Sequence, residues 1–244
     1  MKTLIIIPSR LSAKRLPGKP LLKINGLSMI SHVFKKAEKA NIGEVVVATE
    51  NQEIVDDVKQ NGGQAILTKN KHKTGTDRIY EALQKMDNLN IDLIMNLQGD
   101  EPIMNVDDIR NLNYQMTKNN SKFGTLASKI LDKKLYNNKN VVKVLTKDNL
   151  NNSNFPEAIN FTRDVFDQKE NIYHHLGIYC YQKETLKKFV AYDQSSNEIK
   201  NNLEQMRALD NKININVALA KSSPIGVDTE EDFVAIKKIM EYKS

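Results

Sequence analysis

Arg10, Lys14, Arg15 and Lys19 all fall within residues 8–20, PSRLSAKRLPGKP, directly after the apolar run Leu4, Ile5, Ile6, Ile7. Pro8, Pro17, Gly18 and Pro20 deny this stretch both helix and ladder pairing. The expectation is a fixed loop off the first strand, with its cations facing outward to meet an anion rather than each other. Arg10, Arg15 and Lys19 suit a polyphosphate, since arginine forks onto phosphate oxygens and lysine acts as a compact charge. A second loop, NLQGDEP, follows the strand-like run 93–95 and carries Asp100. A carboxylate there suits magnesium, a hard cation that takes oxygen ligands. In an open parallel sheet both loops lie at the carboxyl ends of the strands, where ligands bind.

Several chemistries are excluded. No G-x-x-x-x-G-K-[ST] occurs, because Gly18-Lys19 is followed by Pro20, and no G-x-G-x-x-G occurs either. Cys180 is the sole cysteine and sits in an apolar run, so it reads as a buried thiol in a chain without intrachain disulfides, in a cytoplasmic setting. No apolar run is long enough to span a membrane. The net charge of +6 raises a second class, a basic nucleic-acid-binding protein with salt-sensitive binding. Against it, the lysines are spread along the chain in pairs such as Lys35-Lys36, Lys187-Lys188 and Lys237-Lys238, which read as solvated helix faces. No nucleic-acid or membrane partner is therefore expected.

The elements that must position these loops alternate through the first half. Strand-like runs at 3–7, 45–48, 65–67 and 93–95 are interleaved with helical periodicity, starting behind Ser28, over 52–60, behind Thr76 as cap, and over 106–118. That rhythm predicts a parallel sheet with helices on its faces. From 124 onward, strand-like pieces at 124–130, 141–146, 157–163 and 173–181 come without full helices between them and predict a mixed or antiparallel part. Helices are expected at 183–190 and 198–209, a strand at 213–220, and a last helix behind a Thr229–Asp232 capping box, burying Phe233, Ile236 and Met240.

Six blocks in order, PSRLSAKRLPGKPL, HKTGTDR, NLQGDEP, HLGIYCY, NLEQMRAL and GVDTEEDF, spread over nearly the whole chain. In them the sequence resembles the 3-deoxy-manno-octulosonate cytidylyltransferase family. The resemblance implies a single Rossmann-like α/β nucleotidyltransferase domain over 1–244. Its mixed, mostly parallel central sheet is flanked by helices, with a smaller antiparallel sugar-binding and dimerisation part. Residues 1–120 would mainly bind CTP, 121–220 the sugar, and 221–244 would form the C-terminal helix. It implies a homodimer that joins CMP from CTP to the anomeric hydroxyl of 3-deoxy-D-manno-octulosonate (Kdo), a 2-keto-3-deoxy sugar acid, releasing pyrophosphate for lipopolysaccharide biosynthesis.

Residue by residue, the resemblance puts Arg10, Arg15 and Lys19 on the triphosphate and Asp100 and Asp228 on Mg2+. Pro8, Ser9, Thr74, Gly75, Thr76 and Gln98 would lie along the nucleotide, Gln98 reaching the sugar as well. Arg163, His175, Tyr179, Glu204 and Gln205 would contact the sugar acid. Two departures fall on the sugar side: Thr162-Arg163-Asp164-Val165-Phe166 stands where the family reads SRxxIP, and His175 follows Arg163 by only 12 residues. They keep open a related acid, 8-amino-Kdo or a nonulosonate.

Overall fold

The computed structural model describes residues 1–244 except 14, 71, 87–89, 167–169, 225 and 243–244. Lys14 of the basic loop thus lies outside the described residues. Two compact units form, residues 2–109 with 224–244, and residues 110–223 with Met1.

The first unit is built on β1 (Thr3–Ser9), whose Leu4 to Ile7 run is wholly buried. A strand buried on both faces between parallel neighbours reads as a continuous apolar run rather than an alternating one. The chain then makes a 3-10 turn over Lys19–Leu21 and a small hairpin of β2 (Lys23–Ile24) and β3 (Leu27–Ser28). Asn25 and Gly26 turn that hairpin at φ 48° and 78°, the left-handed pair that a tight hairpin demands. Next come α1 (Met29–Ala40), β4 (Gly43–Thr49), α2 (Gln52–Gln60), β5 (Ala65–Leu67), α3 (Gly75–Lys85) and β6 (Leu93–Asn96). The strands run parallel in the order β5-β4-β1-β6, with Ile5 opposite both Val45 and Met95. The expected parallel half is present.

Helix α4 (Val106–Lys118) carries the unit boundary. In the second unit follow β7 (Phe123–Ser128), α5 (Lys133–Asn137), β8 (Lys143–Thr146), β9 (Ala158–Thr162) and β10 (Ile172–Gln182). Then come α6 (Lys183–Ala191), α7 (Ser196–Asn201), α8 (Met206–Asp210) and β11 (Asn216–Leu219). β10 pairs antiparallel with β7 and β8, β8 antiparallel with β9, and β11 parallel with β7, the mixed character expected. The chain returns to the first unit with α9 (Glu230–Tyr242). Thr229 and Asp232 cap α9 reciprocally, and Ile236 is buried with Ile24, Met29 and Val227. Among the described residues, no helix is long and apolar enough to cross a membrane.

Four local expectations are corrected. Pro8 and Ser9 continue β1, opposite Ala48 and Thr49; proline lacks only its own donor, so a parallel neighbour can still align with it. The cap of α3 is Thr74, not Thr76, because Asp77 stands three residues after Thr74 and closes the box. The helix expected over 198–209 is two short ones, broken where Asn202 takes φ 50°. The strand expected over 213–220 narrows to β11.

Candidate functional site

Lys19 is the knot of the first unit. Its Nζ donates to Asp100 Oδ2 at 2.6 Å, to the carbonyl of Val227 at 2.7 Å and to Asp228 Oδ1 at 3.3 Å. Arg15 Nη2 reaches Asp228 Oδ2 at 2.7 Å. The Val227 amide donates to the carbonyl of Asp100 at 2.9 Å, which pins the segment entering α9 against the loop after β6. Arg15 and Lys19 meet anions rather than each other, as expected of the loop, and these anions are the chain's own carboxylates; the outward orientation is corrected for Lys19 alone, whose side chain is largely buried by those contacts. Arg10 is exposed.

Beside Asp100, Glu101 buries its Oε2 with no hydrogen-bond partner among the described residues. Burial, reinforced by the charges of Asp100 and Asp228, pushes its pKa up to about 8. Near neutral pH it is largely protonated, which spares the knot a third negative charge.

Gly99 packs where a Cβ would meet the carbonyl oxygen of Pro8 at 3.0 Å and Ile30 Cδ1 at 3.1 Å. A side chain there would press on both by a few tenths of an ångström, so glycine eases the close approach of the loop after β6 to the end of β1. A Cβ on Gly75, at the start of α3, would meet the Pro8 ring at ordinary contact distance. Pro8, Gly75 and Gly99 are thus brought together at the carboxyl edge of the parallel strands. Ser9 Oγ and Thr76 Oγ1 are both buried without a hydrogen-bond partner among the described residues, and such orphaned hydroxyls ask for an explanation. Gln98 Nε2 donates to Asn96 Oδ1 at 3.3 Å.

In the second unit, Tyr179 donates from its hydroxyl to Gln205 Oε1 at 3.2 Å, and its ring centre lies 5.4 Å from that of His175. Thr125 Oγ1 donates to the carbonyl of Ile178 at 2.7 Å, so it accepts from His175 Nε2, 3.0 Å away. That sharing assigns the His175 proton to Nε2 and leaves Nδ1 as an acceptor. Burial, with His174 adding to it, lowers the His175 pKa to about 3, so the ring is neutral. Glu204 lies 3.9 Å from Arg207 Nη2, but Arg207 forks at 2.7 Å onto both oxygens of Glu198 and is committed there. Arg163 stands on other contacts: its Nη1 lies 3.3 Å from the carbonyl of Asn140 and 3.5 Å from that of Lys139.

Sequence reasoning passed over Glu101 and Lys143. The signal for Lys143 was present, a lone lysine inside Val141-Val142-Lys143-Val144-Leu145. It is fully buried.

A parallel α/β unit whose β1 and β6 loops meet over paired cations and carboxylates is a nucleotide-handling architecture, with its site where open sheets bind ligands. A family model described as cytidylyltransferase matches residues 4–215. The chain is 41% identical over 98% of its length to the 3-deoxy-manno-octulosonate cytidylyltransferase of Afipia carboxidovorans, covering 96% of that protein. It is 37% identical over 98% to the same-named protein of Bartonella tribocorum, covering 99% of it. A solved CMP:2-keto-3-deoxy-manno-octonic acid synthetase complexed with CTP superimposes with a TM-score of 0.90 at 32% identity, over 100% of both chains. A 4-diphosphocytidyl-2C-methyl-D-erythritol synthase from Anaerococcus prevotii, at 13% identity and a TM-score of 0.67 over 98% of both chains, shares the fold. The chain belongs to the cytidylyltransferase family and, within it, to the 3-deoxy-manno-octulosonate cytidylyltransferases.

Proposed function

We propose that this enzyme transfers CMP from CTP to the anomeric hydroxyl of Kdo and releases pyrophosphate, supplying the activated sugar for lipopolysaccharide assembly in the cytoplasm as a homodimer. The observation that carries the reading is the convergence of Arg15, Lys19, Asp100 and Asp228 at the carboxyl edge of β1 and β6. It supplies both signs of charge that a nucleoside triphosphate and its counter-ion need. The orphaned hydroxyls of Ser9 and Thr76 support a nucleotide along the same edge.

In the reaction the anomeric oxygen attacks the α-phosphorus, the bond from the α-phosphorus to the oxygen bridging to the β-phosphate breaks, pyrophosphate departs with the negative charge, and the hydroxyl proton passes to solvent water. Arg10, Arg15 and Lys19 neutralise the triphosphate and the leaving pyrophosphate. Arg163 meets the sugar carboxylate, and Tyr179, Gln205, Glu204 and neutral His175 orient its hydroxyls. Gln98 lies between the two substrates. This is positioning and charge stabilisation, with no covalent enzyme intermediate.

Asp100 and Asp228 fit magnesium, since both present hard carboxylate oxygens that here share one ammonium. Bound there, it would supply charge neutralisation and orientation at the α-phosphate.

The test is pyrophosphate release from CTP and magnesium with Kdo, 8-amino-Kdo and N-acetylneuraminate in parallel. Turnover of Kdo is expected; turnover of another acid alone would redirect the assignment, and turnover of none would reject it. Asp100→Asn and Asp228→Asn should each lose roughly a hundredfold or more in kcat with the fold intact by circular dichroism. Wild-type rates in either variant would remove that carboxylate from the site.

A further inference from the structure

Lys143 lies in β8 with Thr162 of β9 opposite it on one side and His174 of β10 on the other. Lysine is almost never fully buried unless its charge is paired, yet this side chain is fully buried and no carboxylate lies within ion-pair distance of it among the described residues. Its ammonium instead donates to two backbone carbonyls, Asn138 at 2.9 Å and Arg163 at 2.7 Å. Burial lowers its pKa, with Asp164 acting against that and the Arg163 charge acting with it. A leucine or methionine would fill the same space without the cost of desolvating a cation. What only lysine provides is the pair of charge-assisted bonds.

Those bonds hold Arg163 from two directions. One fixes its own carbonyl. The other fixes the carbonyl of Asn138, at the start of the turn whose next two carbonyls, Lys139 and Asn140, receive Arg163 Nη1 at 3.5 and 3.3 Å. The guanidinium thus rests on a carbonyl ledge anchored by Lys143. Its Nε and Nη2 keep no protein partner among the described residues, and two adjacent N–H groups are what a carboxylate takes in a fork.

We propose that Lys143 is a positioning residue that presents Arg163 to the carboxylate of the sugar acid. The inference rests on the reading of Arg163 as the carboxylate-binding cation. A 1 Å displacement of such a group costs up to about a hundredfold in rate, so the effect is measurable without contact between Lys143 and substrate.

The test uses the full chain and steady-state pyrophosphate release, varying the sugar acid at saturating CTP and CTP at saturating sugar acid. Wild-type turnover is established first, so its failure belongs to the functional reading alone. Lys143→Met should lower kcat/KM for the sugar acid by about ten- to a hundredfold and leave KM for CTP within about twofold. Arg163→Ala should produce a loss of the same kind. The double variant should be no worse than Arg163→Ala within about threefold, because residues that act through one another do not add. Lys143→Gln, which keeps a donor without the charge, should fall between wild type and Lys143→Met, and it carries the same comparison where Lys143→Met does not fold. Equal losses toward both substrates, full additivity in the double variant, an unchanged KM for sugar acid in Arg163→Ala, or failure of both Lys143 variants to fold would each overturn the proposal.

Discussion

The ammonium of Lys19 neutralises two carboxylates that would otherwise repel each other, and its side chain is only 13% exposed. Under the proposed function a triphosphate would offer it stronger acceptors, which would leave the two aspartates able to hold a divalent cation. Lys19→Met should lower kcat/KM by roughly two to three orders of magnitude, as expected for removal of a preorganised charge at a reacting phosphate. Thermal unfolding should change little, because Asp228 is about half exposed and keeps Arg15. A melting point that collapses along with activity would make Lys19 a structural residue instead. These residue types were legible in the sequence, since four cations in a proline-rich loop and an aspartate after an apolar run carry their chemistry on their faces. No local pattern announced their pairing, because Asp228 lies 209 positions from Lys19; only the family resemblance, which put Asp100 and Asp228 on one ion, brought them together. Lys143 was passed over because charge counts treat a buried lysine and a solvated one alike.

Helix α3 shows how an element holds the site edge. Glu81 accepts from the backbone N–H of Lys69 at 3.1 Å on both oxygens, from Lys85 Nζ at 2.8 Å, and pairs with His72. Three residues earlier, Arg78 joins Thr68 Oγ1, at 2.6 Å, to Glu50. The segment leading from β5 to the Thr74 cap is thereby tied to the helix it precedes. Burial alone would raise the Glu81 pKa, but the hydrogen bonds from Lys85, Lys69 and His72 outweigh it and bring it down to about 2. A carboxylate whose folded pKa lies below its unfolded value contributes stability that is present above pH ~4.5 and is lost as pH falls toward 2. Glu81→Gln should therefore cost about 2 kcal/mol at pH 7, discounted for the exposed Lys85 partner. Urea denaturation at pH 7, 4 and 3 should show the gap to wild type closing; a gap constant with pH would deny the carboxylate its role. Helices of this kind were legible from apolar periodicity, and α2 and α4 fall where the pattern puts them. The hairpin β2-β3 was not, since two-residue strands show no alternation. The true cap of α3 was readable in principle from Asp77, three residues after Thr74.

At the scale of the molecule, the alternating first half announced its parallel strands because each βαβ step is local, whereas the second unit is joined by distant pairings such as β7 with β11 that no local pattern encodes. The return of residues 224–244 to the first unit, where Ile236 packs with Ile24 and Met29, had no local signal either, and only the family resemblance, by setting Asp228 beside Asp100, pointed to it. The second unit also bears on self-association. Among the described strands β9 pairs with β8 alone, apart from the Ala158 N–H that donates to the carbonyl of Ile215, and Ile159 within it is 55% exposed. The same unit exposes Leu131 by 91% and Ile199 by 66%. Unpaired strand edges bearing apolar side chains are a liability that proteins manage by covering them, and a second copy of the chain is the cover consistent with the proposed homodimer. Light scattering should return twice the chain mass at micromolar concentration. Ile159→Lys, which places a charge on that edge, should shift the mass toward a single chain while leaving the circular dichroism spectrum unchanged. A wild-type mass of one chain at every concentration would reject the dimer, and an unshifted Ile159→Lys would move the interface away from β9.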